Sequence, residues 1–220
     1  MAISVNIAVE DTLSESVLRR ILHHQRRDMT VSARYPLKEL PGGTYNPANR
    51  HGRRGLSGYG QLKTRLLAFN KAASVGKPFI VLTDLDIHVK CPGQLLSAWL
   101  PGTPSPNLVF RVAVKEVEAW LLADCANMAE FLEVSAATVP ASVEALTDPK
   151  LELVKLARNS ASEVIRRDLV PPPESTAEVG RYFERGLLTF VKNRWDVDAA
   201  AHNCRSLQKA LDALARFKLV

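Results

Sequence analysis

Blocks of apolar residues along the chain have two different periods, and each period predicts a type of secondary structure. The stretch "ISVNIAV" (3–9) alternates and then becomes wholly apolar, as a strand entering a core does. The run "PFIVLTDLD" (78–86) is nearly continuous, which is typical of a strand buried on both faces of a parallel sheet. "MTVSARYP" (29–36) and "LVFRVAV" (108–114) predict two more strands.

Helical spacing of apolar residues fills the segments between these strands. It predicts helices over 11–24, 59–74 and 91–100, and a longer one beginning in "KEVEAWLLADCANMAEFL" (115–132). Alternation of strands and helices predicts an α/β fold with a mostly parallel sheet flanked by helices.

Residues at the helix ends and faces give finer expectations. Thr12 and Glu15 match a capping box for the first helix, and Gly76 ends the second. The apolar face of the second helix is expected to comprise Leu62, Leu66, Leu67, Phe69 and Ala73.

The pattern changes near Pro140, where the strands stop. Three successive helices are predicted over 148–169, 175–194 and 196–217. We therefore expect an α/β core over 1–135 and a C-terminal helical extension over 136–220. The extension is the expected surface for a partner protein or for self-association into a homo-oligomer.

Composition narrows the class of protein. The chain has 220 residues, of which 46% are hydrophobic, and no apolar run approaches the roughly 20 residues of a membrane span. The N-terminus has no signal-peptide pattern, and three widely spaced cysteines argue against a disulfide framework or a cysteine-rich zinc site. We expect a cytoplasmic protein with no membrane partner.

The net charge of +6 favours a polyanionic partner, although excess surface lysine and arginine gives the same number. A Gly-, Pro- and Arg-rich loop over 41–59 could clamp phosphate, or it could be a basic surface loop with no ligand. The candidate nucleic-acid-binding residues are Arg50, Arg53, Arg54, Lys63 and Lys115.

Carboxylates follow the predicted strands at the ends where sites form in α/β sheets. Asp84 and Asp86 would point to one side of their strand, about 7 Å apart, and suit Mg²⁺ or Mn²⁺; the alternative is a turn in which they accept backbone N–H groups. Glu10 ends the first strand, and it joins them if the two strands are parallel neighbours. Placement near a helix N-terminus also explains Glu10.

A third strand end carries Lys115, Glu116 and Glu118. On a helix the two glutamates would lie about 200° apart and would not face one site, whereas Lys115 and Glu118 would share a face. A solvated first turn is the alternative.

These motifs carry a resemblance. A "VE" that closes the first strand, followed by a strand that ends in "DLD", resembles the Toprim domain of topoisomerases, primases and overcoming-lysogenization-defect nucleases. More closely, the chain resembles an uncharacterised prokaryotic family of small Toprim-like proteins, often encoded beside AAA-type ATPases in the manner of phage-defence modules. That closer resemblance is carried by "VLTDLD", "RVAVKEVEAWLLAD", "DPKLEL" and "FVKNRWD…SLQKAL".

The resemblance implies phosphodiester cleavage that depends on Mg²⁺ or Mn²⁺, with DNA or RNA as substrate and an AAA-type ATPase as partner. Glu10 would be the Toprim glutamate, Asp84 and Asp86 would be ligands, and Glu118 would be the extra carboxylate of a two-metal nuclease. The chain departs from the Toprim pattern at Asp11, where glycine is usual.

Three functions follow from the sequence. The leading one is a metal-dependent nuclease that acts as the effector of an ATPase partner. The second is a non-catalytic module of the same fold that binds nucleic acid or docks on an ATPase. The third is an enzyme acting on a small phosphorylated metabolite or a nucleotide.

Overall fold

The protein is described by a computed structural model that covers residues 2–35, 58–85 and 91–220. Within these ranges the chain forms a sheet of four parallel strands: β1 (Ile3–Ala8), β2 (Met29–Tyr35), β3 (Phe79–Asp84) and β4 (Leu108–Ala113). The predicted α/β class with a parallel sheet flanked by helices is thus confirmed.

The strand order, β2-β1-β3-β4, makes β1 and β3 direct neighbours. They pair in parallel, with Ala8 opposite Val81. Strand β3 also pairs in parallel with β4, and Asp84 lies opposite Ala113. The carboxyl ends of β1, β3 and β4 therefore meet along one edge of the sheet.

Ten α-helices surround the sheet in the described residues. They are α1 (Thr12–Gln25), α2 (Gly58–Ser74), α3 (Pro92–Trp99), α4 (Val117–Leu122), α5 (Cys125–Leu132), α6 (Pro149–Arg158), α7 (Glu163–Leu169), α8 (Phe183–Asn193), α9 (Val197–Asn203) and α10 (Arg205–Arg216). Short 3₁₀ turns occur at Ala136–Thr138 and Val143–Ala145.

Side chains of β3 alternate between two hydrophobic clusters, which explains the continuous apolar run in its sequence. Ile80 and Leu82 pack in one cluster with α1 and with helices of the 136–220 segment. Phe79 and Val81 pack in the other cluster with α2 and α3. The division of the chain at residue 135 stays a prediction, although helices on its C-terminal side cover a face of this sheet.

The helix expected from residue 115 to 132 is divided into α4 and α5. Lys115 has a left-handed backbone (φ 68°), and Glu116 is extended at the N-cap position, so the helix begins only at Val117. Asp124 leaves the helical conformation between the two helices. Its buried carboxylate accepts a hydrogen bond from the backbone N–H of Asp196, 2.8 Å away, which holds the break in place.

Two details predicted for the earlier helices are wrong. The N-cap of α1 is Asp11, whose Oδ1 accepts from the N–H of Ser14 at 2.7 Å, so Thr12 and Glu15 do not form a capping box. Glu15 instead forms ion pairs with two arginines. Leu67 is 60% exposed and does not belong to the apolar face of α2, whereas the predicted end at Gly76 (φ 81°) is confirmed.

The three predicted C-terminal helices are each shorter or interrupted. The first stretch contains α6 and α7, and the last contains α9 and α10, which divide at the extended Cys204. The middle helix begins only at Phe183. The chain before it packs closely on α7, since a Cβ on Gly180 would lie 2.4 Å from the carbonyl oxygen of Asp168.

In the parts of the chain that the structure describes, no helix is long and apolar enough to cross a membrane. Most of the predicted loop over 41–59 lies outside these parts, and its last two residues belong to the first turn of α2.

Candidate functional site

Glu10 and Asp84 meet where β1 and β3 end side by side. The backbone N–H of Asp84 donates to Oε1 of Glu10 at 2.9 Å, and the hydroxyl of Thr83 donates to the same oxygen. Parallel pairing brings these ends together, because Glu10 follows β1 by two residues and Asp84 is the last residue of β3. The carboxylate of Glu10 is thereby fixed over the end of β3.

The third strand end orients Asp84. Its Oδ1 accepts from the N–H of Val117, the first residue of α4, at 3.1 Å. The N–H of Leu85 donates to the carbonyl oxygens of Ala113 at 2.9 Å and Lys115 at 3.2 Å. These bonds tie the end of β3 to the turn between β4 and α4, so the acids of both segments have defined positions.

Glu116 and Glu118 face one cation, contrary to the expectation that they would point apart. Nζ of Lys150 lies 3.7 Å from Oε1 of each glutamate. The expectation failed because it placed both residues on a helix, whereas Glu116 is extended at the N-cap. For the same reason Lys115 and Glu118 do not share a helical face.

Lys150 is positioned by the start of α6. Asp148 caps this helix by accepting from the N–H of Leu151 at 2.7 Å, and Pro149 occupies its first turn. The backbone N–H of Lys150 donates to Oε2 of Glu116 at 3.3 Å. Both the main chain and the side chain of Lys150 therefore contact Glu116.

The electrostatics of the acids reflect burial and mutual repulsion. Burial raises the pKa of Asp84 well above its usual range, and the nearby charges of Glu10 and Glu118 raise it further. Burial raises the pKa of Glu118 to about 7, against the attraction of Lys150 and with a smaller contribution from Glu116. Carboxylates held in this way are stabilised by an added cation.

Burial and the neighbouring acids act in opposite directions on the pKa of Lys150. Burial alone would lower the pKa of its ammonium, but the charges of Glu118 and Glu116 outweigh burial and raise that pKa. The ammonium group of Lys150 is therefore protonated and positively charged at neutral pH.

Pockets border these acids. A pocket of about 450 Å³ is lined by Glu118, Lys150 and Arg181, among others. A smaller one, of about 290 Å³, is lined by Asp84, Glu116, Lys115 and other residues. A ligand in either pocket would therefore lie next to at least one of the acids.

The predicted site residues divide into three groups. Glu10, Asp84 and Glu118 lie in one cluster, and Lys115 lines the smaller pocket beside Asp84. Lys63 is exposed on α2. Four predicted residues lie outside the described residues: Arg50, Arg53, Arg54 and Asp86.

Sequence reasoning missed the role of Lys150 and the hydroxyl of Thr83. The local signal at Lys150 was the helix start "DPK", which indicates where α6 begins but not what it contacts. Among the residues that the structure describes, no group of three or more His, Cys, Asp or Glu side chains has the arrangement of a metal site.

The fold and the site together define a parallel α/β protein with a carboxylate cluster at the carboxyl edge of its sheet. Comparisons with models of known protein families, with curated proteins and with solved structures found no match.

Proposed function

We propose that this protein is a Toprim-like nuclease that cleaves phosphodiester bonds in DNA or RNA and depends on Mg²⁺ or Mn²⁺. The observation that carries the proposal is the contact between Glu10 and Asp84 at the ends of neighbouring parallel strands, among further acids that raise the pKa of Asp84. Such a concentration of negative charge at a sheet edge favours a divalent cation.

The donor set fits the proposed metal. Glu10 and Asp84 offer carboxylate oxygens, the ligands that Mg²⁺ and Mn²⁺ prefer. Asp86 is the third proposed ligand from the sequence. When bound, the cation supplies positive charge that polarises the phosphodiester and activates water.

Glu118 and Lys150 suit two further tasks in this reaction. A carboxyl group with a pKa of about 7 holds or releases a proton near neutral pH, which is what a general acid or base requires. The ammonium of Lys150 offers positive charge to a phosphate that enters the larger pocket. The role of Glu118 as a ligand of a second metal remains the alternative for that residue.

One observation favours the second candidate function, a non-catalytic module that binds nucleic acid or docks on an ATPase. Lys150 already places a positive charge between Glu116 and Glu118. In this candidate, Lys150 is the permanent counter-ion of the acids. The AAA-type ATPase partner rests on the sequence resemblance alone.

The test is a titration of Mn²⁺ into the purified protein by calorimetry, with Asp84→Asn as the variant and Asp198→Asn as the matched control. Asp198 is 75% exposed on α9, away from the cluster. We expect the affinity for Mn²⁺ to fall at least about tenfold in Asp84→Asn and to stay unchanged in the control.

The same proteins are then incubated with labelled DNA and RNA and either cation. We expect cleavage by the wild type and a loss of more than about 100-fold in Asp84→Asn. Metal binding without cleavage of either nucleic acid would favour the non-catalytic module, and no binding of metal at all would overturn the proposed site.

A further inference from the structure

Another charged pocket lies at the outer edge of the sheet, where β4 ends. It has a volume of about 440 Å³ and is formed by the start of α3, the end of β4 and the first turns of α10. Its lining includes three cations, Arg111, Arg205 and Lys209, and one acid, Glu144. The lining includes none of the acids of the site described above, which are Glu10, Asp84, Glu116 and Glu118 and are called the acid cluster below.

In the described part of the chain, none of the three cations of this pocket forms an ion pair with a carboxylate. Arg205 and Lys209 are exposed on α10, and neither has a carboxylate within 4.0 Å in the described ranges. Nε of Arg111 is buried and has no hydrogen-bond partner there. Burial and the nearby charge of Arg216 lower the pKa of Arg111, and the charge of Asp212 opposes them only in part, so an anion at this position would stabilise the charged guanidinium.

Glu144 offsets only one of the three cations, and it is held by bonds to the start of α10. Its Oε1 accepts from the backbone N–H of Ser206 at 2.7 Å and from Sγ of Cys204 at 3.4 Å, at the start of α10. The hydroxyl of Ser206 in turn accepts from Nε1 of Trp120 at 2.7 Å. These bonds hold Glu144 and Ser206 in the lining of the pocket, where three cations outnumber the one acid.

The start of α3 adds backbone donors. Cys91, the N-cap residue, makes no side-chain capping bond, and Pro92 follows it. A Cβ on Gly93 would meet nothing within 4 Å, so there is open space beside this residue. Backbone N–H groups at such a helix start favour an anion.

We propose that this pocket binds a phosphate group through Arg111, Arg205 and Lys209. Two arginines and a lysine around one cavity match the negative charge and the several acceptor oxygens of phosphate. Its lining includes Val112 and Val114, which flank Ala113, the register partner of Asp84, so the two sites lie at the ends of the neighbouring strands β3 and β4. A phosphate of a nucleic-acid strand and a free phosphorylated molecule share this chemistry.

The test uses two probes, inorganic pyrophosphate by calorimetry and a fluorescein-labelled oligothymidine of about 12 nucleotides by anisotropy. Both are measured in EDTA, so that binding does not depend on a metal at the acid cluster. The variant is Arg205→Gln/Lys209→Gln. Its matched control is Arg185→Gln/Lys192→Gln, which removes two exposed charges from α8.

We expect the pocket variant to weaken the binding of at least one probe by about tenfold or more, and the control variant to weaken it less than about twofold. Loss confined to the oligonucleotide, with a salt slope reduced by about 0.7, identifies a backbone phosphate. Loss with pyrophosphate identifies a free phosphorylated ligand. Equal loss in both variants, or no loss in either, overturns the proposal.

The result is separable from that of the proposed nuclease. Asp84→Asn should leave the binding of either probe in EDTA within about twofold of the wild type, because Asp84 does not line the pocket. Failure of nuclease activity would therefore leave this inference standing, and failure of probe binding would leave the metal site standing.

Discussion

Asp84 and Asp124 are both held within the structure, but their surroundings differ in kind. The carboxylate of Asp124 accepts two contacts from Nδ2 of Asn127, at 2.9 and 3.1 Å, and one from the N–H of Asp196 at 2.8 Å. Within the described ranges, Asp84 accepts a bond from the N–H of Val117.

The acids nearby complete the contrast. Glu10 and Glu118 both raise the pKa of Asp84, after burial itself. A buried carboxylate surrounded by donors stabilises a fold, whereas one placed among other acids lowers stability until a cation or a proton arrives. From this difference we predict a structural role for Asp124 and a role in the proposed metal site for Asp84.

The largest expected effect comes from removing the structural carboxylate. Asp124→Ala should lower the free energy of unfolding by about 3 kcal/mol, because it leaves the N–H of Asp196 unpaired and releases the junction between α4 and α5. The measurement is urea unfolding in EDTA. Asp198→Ala, at an exposed position, should change the free energy by less than about 0.5 kcal/mol. Similar losses in the free energy of unfolding for the two variants would contradict a structural role for Asp124.

The next effect is a dependence of stability on pH that originates in the acid cluster. The pKa of Glu118 is about 7 in the folded protein, above its usual value of 4.5. Between pH 4.5 and 7 the folded state therefore keeps a proton on Glu118 that the unfolded state has lost. The resulting contribution to the free energy of unfolding is fully present below pH 4.5 and disappears as the pH rises through 7. Its size is about 3 kcal/mol.

Glu118→Gln isolates this contribution from that of other groups. Between pH 4.5 and 8 in EDTA, we expect the free energy of unfolding of the wild type to fall by about 3 kcal/mol more than that of Glu118→Gln. Glu174→Gln, an exposed substitution, should follow the wild type. Parallel curves for the wild type and Glu118→Gln would contradict the raised pKa. Saturating Mn²⁺ should reduce the difference if Glu118 lies near the bound cation.

The sequence allowed the meeting of Glu10 and Asp84 to be predicted, because both are acids that end apolar runs. Such runs predict strands, and parallel neighbours bring their carboxyl ends together. The condition that the two strands be neighbours was supplied by the observed pairing of β1 with β3. Local pattern thus located the strand ends, and topology decided which of them meet.

Other parts of the site depend on contacts that local pattern does not contain. The left-handed backbone of Lys115 delays the start of α4 and turns Glu116 toward Lys150, so a helical projection assigned it to the wrong side. Lys150 reaches the acids from a later helix. The break at Asp124 likewise depends on the distant N–H of Asp196. Each is set by tertiary packing rather than by local propensity.

The smallest stability effect, and the one that separates the two candidate functions, comes from Lys150→Gln. In EDTA at pH 8 we expect a loss of about 1 kcal/mol, because the ammonium is 37% exposed and its attraction to Glu116 and Glu118 is screened. The pKa of Lys150 is raised, so this contribution is present below the usual 10.5 and is lost as the pH rises above it. It also weakens as the pH falls below about 7, where Glu118 becomes protonated.

Metal binding by the same variant gives the decisive comparison. If Lys150 contacts substrate phosphate in a nuclease, Lys150→Gln should lower cleavage by more than about tenfold and change the affinity for Mn²⁺ by less than about threefold. If it is the permanent counter-ion of a non-catalytic module, its removal should instead strengthen Mn²⁺ binding at Glu116 and Glu118. Lys155→Gln, which removes an exposed lysine from α6, should do neither. An unchanged cleavage rate in Lys150→Gln would show that the cation beside the acids takes no part in the reaction.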